Sequence, residues 1–282
     1  MKLLIHIHVF YADILPEVAR CVHNFEQVVG KENCDIWATY PDVKPELESV
    51  IEKELPSCHS LMLKNAGYDI AAFIEVIRRV NLDEYDYVVK LHTKRNVDMV
   101  IRYMPVRGAE WRRRLLEFCY TEAHARRSVE TLANNARVGM VAGFLVLDIS
   151  GVSSSRDSVK GFVRLRKIGI TPKGRDAVLG TMYMVRAKLL KPFTRFSIDD
   201  FDMVNPERAH DITGLASELE WAIPMSVSAQ GYTVVSGIMP VWLERIVLRV
   251  QGFCYFWMRV LSDAIRLHHV DWKAITFKVY EK

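Results

Sequence analysis

Tyr85-Asp86-Tyr87-Val88-Val89-Lys90-Leu91-His92 joins aromatic and β-branched residues into one short run, and His92-Thr93-Lys94-Arg95 closes it with a polar tip. Such a run predicts a buried central strand. Upstream, residues 2–10 predict another buried strand. Ile14, Val18, Cys21, Val22, Phe25 and Val28 fall at helical spacing over 14–30, with Pro16 tolerated in the first turn. A strand over 35–40 is closed by Pro41, a short helix over 45–55 stops at Pro56, and residues 59–63 predict a third strand. Ile70, Phe73, Ile74 and Ile77 then mark a helix, with Asp69 or a near neighbour as its cap. Strands alternating with helices predict an α/β fold, an open and mostly parallel Rossmann-like sheet flanked by helices. Ligands of such sheets sit beyond the carboxyl ends of the strands, so the tip after Leu91 is the first place to look.

Downstream, residues 108–133 are expected to be helical, with Trp111, Leu115, Leu116, Cys119 and Tyr120 on one stripe and seven arginines between Arg102 and Arg127. Val138–Leu145 and Gly180–Arg186 predict two more strands, and Pro192 marks a turn. Residues 153–175 hold seven basic groups and one acid, predicting a loop plus a short helix. Between 199 and 220 the sign reverses, with seven acids against Arg208. From Val241 the character changes again. Trp242, Phe253, Tyr255, Phe256, Trp257 and Trp272 interleave with Arg245, Arg249, Arg259, Arg266 and Lys273. This division predicts a domain over 1–240 and an amphipathic tail over 241–282, which fits an interfacial anchor or a helix packed on a partner.

The chain has 282 residues, 50% of them hydrophobic and 26% charged, which is globular composition. Lys plus Arg total 38 against 34 Asp plus Glu, a net charge of +4 that suits an acidic small ligand or an anionic membrane surface rather than nucleic acid. The acidic stretch would repel a nucleic-acid backbone. Five scattered cysteines form no CxxC pair, so they are expected to act as small buried hydrophobes in a reducing compartment. No apolar run reaches 18 residues, which argues against a spanning helix. His6 and His8 share a strand face, but no third ligand stands at recognisable spacing. Neither Gly-x-x-x-x-Gly-Lys-Ser nor Gly-x-Gly-x-x-Gly occurs, and His8-Val9-Phe10-Tyr11 follows the first strand where a Rossmann oxidoreductase would carry its glycines.

Three segments in order carry a family resemblance: Lys64-Asn65-Ala66-Gly67-Tyr68-Asp69-Ile70-Ala71-Ala72-Phe73, then Tyr85–Lys94, then Gly180-Thr181-Met182-Tyr183-Met184-Val185-Arg186. Together they resemble the rhamnan synthesis protein F family, glycosyltransferase-like proteins of bacterial surface polysaccharide assembly, over about residues 2–240. The resemblance implies a GT-A-like fold and transfer of rhamnose or another deoxyhexose from a nucleotide-diphosphate sugar. The implied acceptor is a lipid-linked glycan. The implied place is the cytoplasm, peripheral on the inner face of the bacterial cytoplasmic membrane, with other polysaccharide-assembly enzymes or a second copy of the chain as further partners. Many GT-A enzymes hold a divalent metal on Asp-x-Asp at the strand end here occupied by His92-Thr93-Lys94. Hard cations prefer carboxylate oxygens, so donor binding is expected to be metal-independent or only weakly metal-dependent, with no cofactor expected and no metal ligands assigned.

Lys94 and Arg95 are then candidates to neutralise the donor diphosphate, as point charge and fork. Asn65, Gly67 and Asp69 are assigned to donor binding, Gly67 because a loop against a nucleotide needs backbone freedom. His92 is placed to donate to a phosphate or to orient Asp69, and Thr93 to cap the following turn. Gly180 and Thr181 let an acceptor sugar approach the backbone, and Arg186 reaches the diphosphate or pairs with the acidic stretch. In the family, a segment resembling Leu215–Trp221 usually carries His at its third place and Glu-Arg at its last two. Here Ser217 and Trp221 replace the His and the Arg, and Glu220 is kept. Glu220 is thus the candidate general base, with Asp199 and Asp200 behind it. The missing neighbours leave a second reading open, a non-catalytic scaffold of the same fold that binds a glycan or a partner transferase.

Overall fold

The computed structural model describes residues 1–95, 99–101, 104–106, 108–143, 145–146, 156–171, 177–204 and 214–236, with the single positions 246, 250, 253 and 257. The chain divides into two compact units, Met1–Met239 and Pro240–Lys282. In the first, β1 (Leu3–His8), α1 (Leu15–Val29), β2 (Cys34–Pro41), α2 (Leu47–Glu54), β3 (His59–Leu63), α3 (Tyr68–Arg79) and β4 (Tyr87–His92) follow the expected alternation. A small hairpin of β5 (Met99–Ile101) and β6 (Met104–Val106) leads into α4 (Gly108–Leu115) and α5 (Glu122–Asn134). Then come β7 (Val138–Ala142), β8 (Leu145–Val146), α6 (Arg156–Lys167), β9 (Ala177–Val178), β10 (Tyr183–Arg186), α7 (Gly214–Ala229) and β11 (Thr233–Ser236).

Seven strands form one sheet in the order β11-β7-β10-β4-β1-β2-β3. All pairings are parallel except those of β10, which runs antiparallel to β4 and to β7. The chain builds outward from β1 through β2 to β3, then crosses back to lay β4 on the other side of β1. That reversal opens a crevice at the carboxyl ends of β1 and β4, where His8 and His92 are register partners.

Both sheet faces are covered. Leu3, Ile5 and Ile7 of β1 are fully buried on the face where α1 contributes Leu15, Val18 and Phe25 and packs against α5. On the opposite face Leu4, Val88 and Val185 join Ile70, Phe73, Ile74 and Ile77 of α3 and Leu215, Leu219 and Ile223 of α7 in one apolar core. The second half of that face is polar. His6, Lys90 and Tyr183, register neighbours across β1, β4 and β10, are buried there with His8 and His92.

Several expectations are corrected. The helix over 108–133 is two helices. Thr121 starts a new one by accepting the His124 amide at 3.2 Å, and the break between them is tied down by the Ser128 hydroxyl on the Phe118 carbonyl at 2.6 Å. Gly180 and Thr181 do not begin a strand; both have positive φ (72° and 55°), and the ladder starts at Tyr183. Of Asp69 and its near neighbours it is Gly67, in left-handed conformation, that stands at the N-cap of α3, and the Asp69 carboxylate turns into the sheet. Helix α7 and strand β11 fall where the sequence showed only an acidic stretch and what followed it. The basic and acidic stretches meet, with Arg164 of α6 donating to Glu218 of α7 at 2.7 Å.

Cys21 and Cys119 are buried, whereas Cys34 and Cys58 are half-buried free thiols. Arg102, Arg107, Lys173, Arg175, Glu207, Arg208, Asp211, Cys254 and most of the aromatic tail lie outside the described residues. In the second unit the described positions Ile246, Val250, Phe253 and Trp257 are helical and exposed. Among the described residues no helix is long and apolar enough to cross a membrane.

Gly67 shows how tightly the crevice loop is set. Its φ is +55°, its amide donates to the Asp202 carbonyl at 3.0 Å, and a Cβ there would stand 2.5 Å from the Phe201 ring and 2.6 Å from the Ala71 Cβ. Gly67→Ala is expected to lower stability through left-handed strain of roughly 1–2 kcal/mol and overpacking of roughly 1–3 kcal/mol. A urea-denaturation midpoint equal to that of the unsubstituted chain would show that the loop relaxes freely.

Candidate functional site

Four elements converge at the carboxyl ends of β1 and β4. The loop after β3 brings Asn65 and Gly67 and feeds Asp69 into the first turn of α3, β4 ends in His92-Thr93-Lys94, and the turn before β10 brings Gly180 and Thr181. At their centre is Lys90, a fully buried lysine. Its Nζ donates to Asp69 Oδ2, and at 3.0 Å to both the carbonyl and the hydroxyl of Thr181. The Thr181 hydroxyl donates in turn to Asp69 Oδ2 at 2.8 Å. A charge this deep persists only when paired and hydrogen-bonded, and here three acceptors match the three donors of the ammonium.

Burial raises the Asp69 pKa, but the cations of the site outweigh that and hold the carboxyl well below the ordinary carboxylate range. The chief of these is the Lys90 ammonium, because the nearby ring of His92 is itself neutral. Burial pulls Lys90 below the ordinary lysine value while Asp69 pulls it back. The pair is therefore an ionised Asp–Lys couple with no net charge.

Around it stand three buried imidazoles. His6 Nε2 lies 2.9 Å and His8 Nδ1 3.1 Å from the Thr39 hydroxyl, so one threonine joins both rings. His92 Nδ1 is 3.4 Å from Asp69 Oδ2, which does not amount to a hydrogen bond. Burial, followed for His6 by the Lys90 charge, holds His6 well below its ordinary value; burial likewise takes His8 down to about 4 and His92 well below. All three are neutral at pH 7. His6 Nδ1, His92 Nδ1 and Tyr183 Oη have no hydrogen-bond partner.

The rim carries the solvent-facing cations. Lys94 is half-buried, and its carbonyl accepts from Arg112 Nη1 at 3.4 Å; Arg112 Nε donates to Glu17 at 2.6 Å. Arg95 is exposed, with its guanidinium 4.7 Å from the centre of the Tyr11 ring. Lys44 bonds the Phe10 carbonyl at 3.0 Å beside the same aromatic pair. Thr93 is expected to cap the following turn, which lies at 96–98, outside the described residues. The Thr93 hydroxyl accepts the amides of Phe10 and Tyr11 at 2.8 and 3.0 Å, pinning the chain after β1 to the end of β4.

The structure thus brings together Asp69, His92, Lys94, Gly180 and Thr181, with Asn65, Gly67 and Arg95 alongside. Asn65 is fixed through its backbone, its amide to Asp42 Oδ1 at 3.1 Å and its carbonyl to the Val204 amide at 2.9 Å. Half-buried Glu220 of α7 is near enough to Lys90 to stabilise its charge. Three candidates lie elsewhere. Arg186 sits at the other end of the sheet, donating to the carbonyls of Val138, Leu132 and Asn135, since the antiparallel run of β10 carries it away from the crevice. Asp200 closes a capping box with Ser197, and Asp199 pairs with Lys64 at the surface. Lys90 and Arg112 were not among the sequence candidates. A lysine flanked by Val88, Val89 and Leu91 was the available signal, because a charge in a buried strand must have a partner.

These donors do not suit a hard divalent cation. Asp69 Oδ2 is taken up by Lys90 and Thr181, and among the described residues no three His, Cys, Asp or Glu side chains are grouped to hold a metal.

The fold is thus an open α/β sheet with a polar crevice at its switch point, rimmed by Lys94 and Arg95 beyond the ends of β1 and β4. The chain belongs to the rhamnan synthesis protein F family, whose profile matches residues 1–151, from β1 through β8. No curated protein matches it. Among solved structures it is distantly similar to a cytidylyltransferase from Leptospira borgpetersenii, with 12% identity, 84% of this chain and 75% of that one covered, and a TM-score of 0.38. For an active-site mutant of LgtC the figures are 9%, 82%, 72% and 0.37. For core-mannan synthase A of Aspergillus fumigatus in its Mn/GDP form they are 7%, 81%, 68% and 0.31.

The neutral histidines set a pH dependence. In the unfolded chain each takes up a proton near pH 6.5, whereas in the fold it resists until far lower, about 4 for His8. Between those values the unfolded state binds more protons. Their contribution is therefore complete above pH 6.5 and lost as pH falls toward 4, at up to about 1.4 kcal/mol per pH unit for each ring. The melting temperature is expected to drop from pH 7 to pH 5, and His8→Gln to make the drop shallower. An unchanged slope in that variant would remove His8 from this account.

Proposed function

We propose that this protein is a glycosyltransferase of polysaccharide synthesis, moving a sugar from a nucleotide-diphosphate donor to a growing glycan. Rhamnose or another deoxyhexose is the proposed sugar, and a lipid-linked cell-surface glycan at the inner face of the bacterial cytoplasmic membrane the proposed acceptor. Membership in the rhamnan synthesis protein F family supports the class of reaction. The observation that carries the reading is the charge layout at the switch point, where Lys94 and Arg95 follow β4 directly while Asp69, Thr181 and Glu220 stand behind them.

In this reading the donor diphosphate lies on Lys94 and Arg95, which neutralise the leaving group without a carboxylate-held metal. Asn65 and Asp69 contact donor hydroxyls, and Gly180 and Thr181 let the acceptor approach the backbone. The acceptor oxygen attacks the anomeric carbon, the bond from that carbon to the diphosphate oxygen breaks, and its electron pair leaves on the diphosphate. Glu220 takes the proton of the acceptor hydroxyl. Asp69 is a poorer base, since the cation beside it keeps its basicity low.

Purified protein incubated with a panel of nucleotide sugars should release nucleoside diphosphate. Lys94→Ala should raise donor KM about ten- to a hundredfold, the effect of one charge-assisted contact of about 1.5–3 kcal/mol. Glu220→Gln should lower kcat by about 10²–10⁴. Addition of EDTA should leave turnover in place. Absence of both turnover and nucleotide-sugar binding would turn the reading to the scaffold.

A further inference from the structure

Two residues other than glycine hold a left-handed backbone among the described residues, Tyr68 and Thr181, each with φ of 55°. Such a backbone is uncommon outside glycine, and a β-branched threonine tolerates it least. Both flank one carboxylate. Tyr68 immediately precedes Asp69, and the Thr181 hydroxyl donates to Asp69 Oδ2 at 2.8 Å. Strained residues persist where their surroundings over-determine them, and they gather at functional sites.

What over-determines this pair is Lys90. It reaches Thr181 through both the carbonyl and the hydroxyl at 3.0 Å, and it reaches Asp69 through Oδ2. The lysine has no exposed surface, and its three donors are all engaged within the protein, so it has none left for a ligand. Asp69 is different. Every contact it makes with Lys90, Thr181 and His92 is through Oδ2, and its side chain keeps 15% of its surface exposed. The second oxygen, Oδ1, is left as an acceptor.

We propose that Lys90 is a positioning residue, whose ammonium locks Asp69 Oδ2 and the Thr181 turn so that Asp69 Oδ1 accepts a hydroxyl of a sugar or ribose bound at the ends of β1 and β4. The identity of the ligand rests on the glycosyl-transfer reading; the lock itself does not. An ionised carboxylate held by a buried cation accepts a hydrogen bond without taking the proton, which leaves the base role to Glu220.

The test replaces the ammonium by an apolar chain of similar length. Besides Lys90, the ionisable groups facing Asp69 are His92 and Lys94 at the end of β4, His6 and His8 of β1 and Tyr183 of β10; Glu220 of α7 faces Lys90. In unliganded protein followed by carbon NMR, the Asp69 carboxyl should not titrate between pH 4.5 and 8, and in Lys90→Met it should titrate within that window. With dTDP-rhamnose, UDP-glucose and GDP-mannose as probes, Lys90→Met should bind the preferred donor about ten- to a hundredfold more weakly at pH 6. Affinity should recover toward pH 8 as Asp69 ionises, while the unsubstituted protein stays flat. Should Lys90→Met fail to fold, Lys90→Met/Asp69→Asn removes the uncompensated charge; it should regain thermal stability but not affinity. A folded Lys90→Met with a silent Asp69 carboxyl, or a double variant that binds donor normally, overturns the proposal. If the unsubstituted protein binds none of the probes, the glycosyl-transfer reading falls, and the carboxyl titration still decides the lock.

Discussion

A lysine ammonium without exposed surface is tolerable inside a protein only beside an ionised partner and enough acceptors, and Lys90 fixes much of this molecule by that requirement. Its partner, Asp69, comes from the first turn of α3, and its other acceptors come from the turn before β10. Segments far apart in sequence must therefore meet over the middle of β4. The cost of burying the pair selects one arrangement of these loops over the many that apolar packing alone would permit, and it settles which sheet face carries polar side chains.

The surrounding electrostatics follow from the same pairing. The couple carries no net charge, and burial keeps His6, His8 and His92 neutral, so the floor of the crevice is polar and without net charge near pH 7. Charge is left at the rim, on Lys94, Arg95 and Lys44. A polyanion attracted to that rim meets hydrogen-bonding groups on the floor below, where the one carboxylate, Asp69, is already compensated by Lys90. Arg112 and Thr93 brace the backbone beneath that rim. One ties the Lys94 backbone toward Glu17 of α1, and the other binds the chain after β1 to the end of β4. The opposite charges of α6 and α7 serve a different end, since Arg164 and Glu218 neutralise one another where those helices pack.

Much of the fold was legible because its first half obeys simple periodicity. The strands at residues 3–8, 34–41, 59–63 and 87–92 and the helices between them stand close to where alternation, helical spacing and the prolines put them. The second half was harder. Helix α7 carries apolar residues nearly all round and contains Pro224, so its sequence has no amphipathic stripe to read. Strand β11 has four residues, too few for a pattern. The site divided in the same way. Asn65, Gly67, Asp69, His92, Lys94 and Arg95 stood in two short polar segments beside predicted strand and helix ends. Apart from the family resemblance of Leu215–Trp221, nothing in the local composition distinguished Glu220, which faces Lys90, from Asp200, which caps a turn, because a carboxylate's role depends on what the chain folds against it.

The sequence by itself determined the alternation of strands and helices, the buried faces of β1, β4 and α3, and the polar tip after Leu91, since each rests on residues a few positions apart. Only the tertiary structure decided that β10 runs antiparallel, which carries Arg186 to the far end of the sheet and brings Thr181 to Lys90. It also decided that Asp69 gives its charge to a lysine of the next strand rather than to the amides of its own helix. Both outcomes are long-range. The charge of a buried lysine must be met by whichever acceptors the topology delivers, and no run of neighbouring residues encodes which those are.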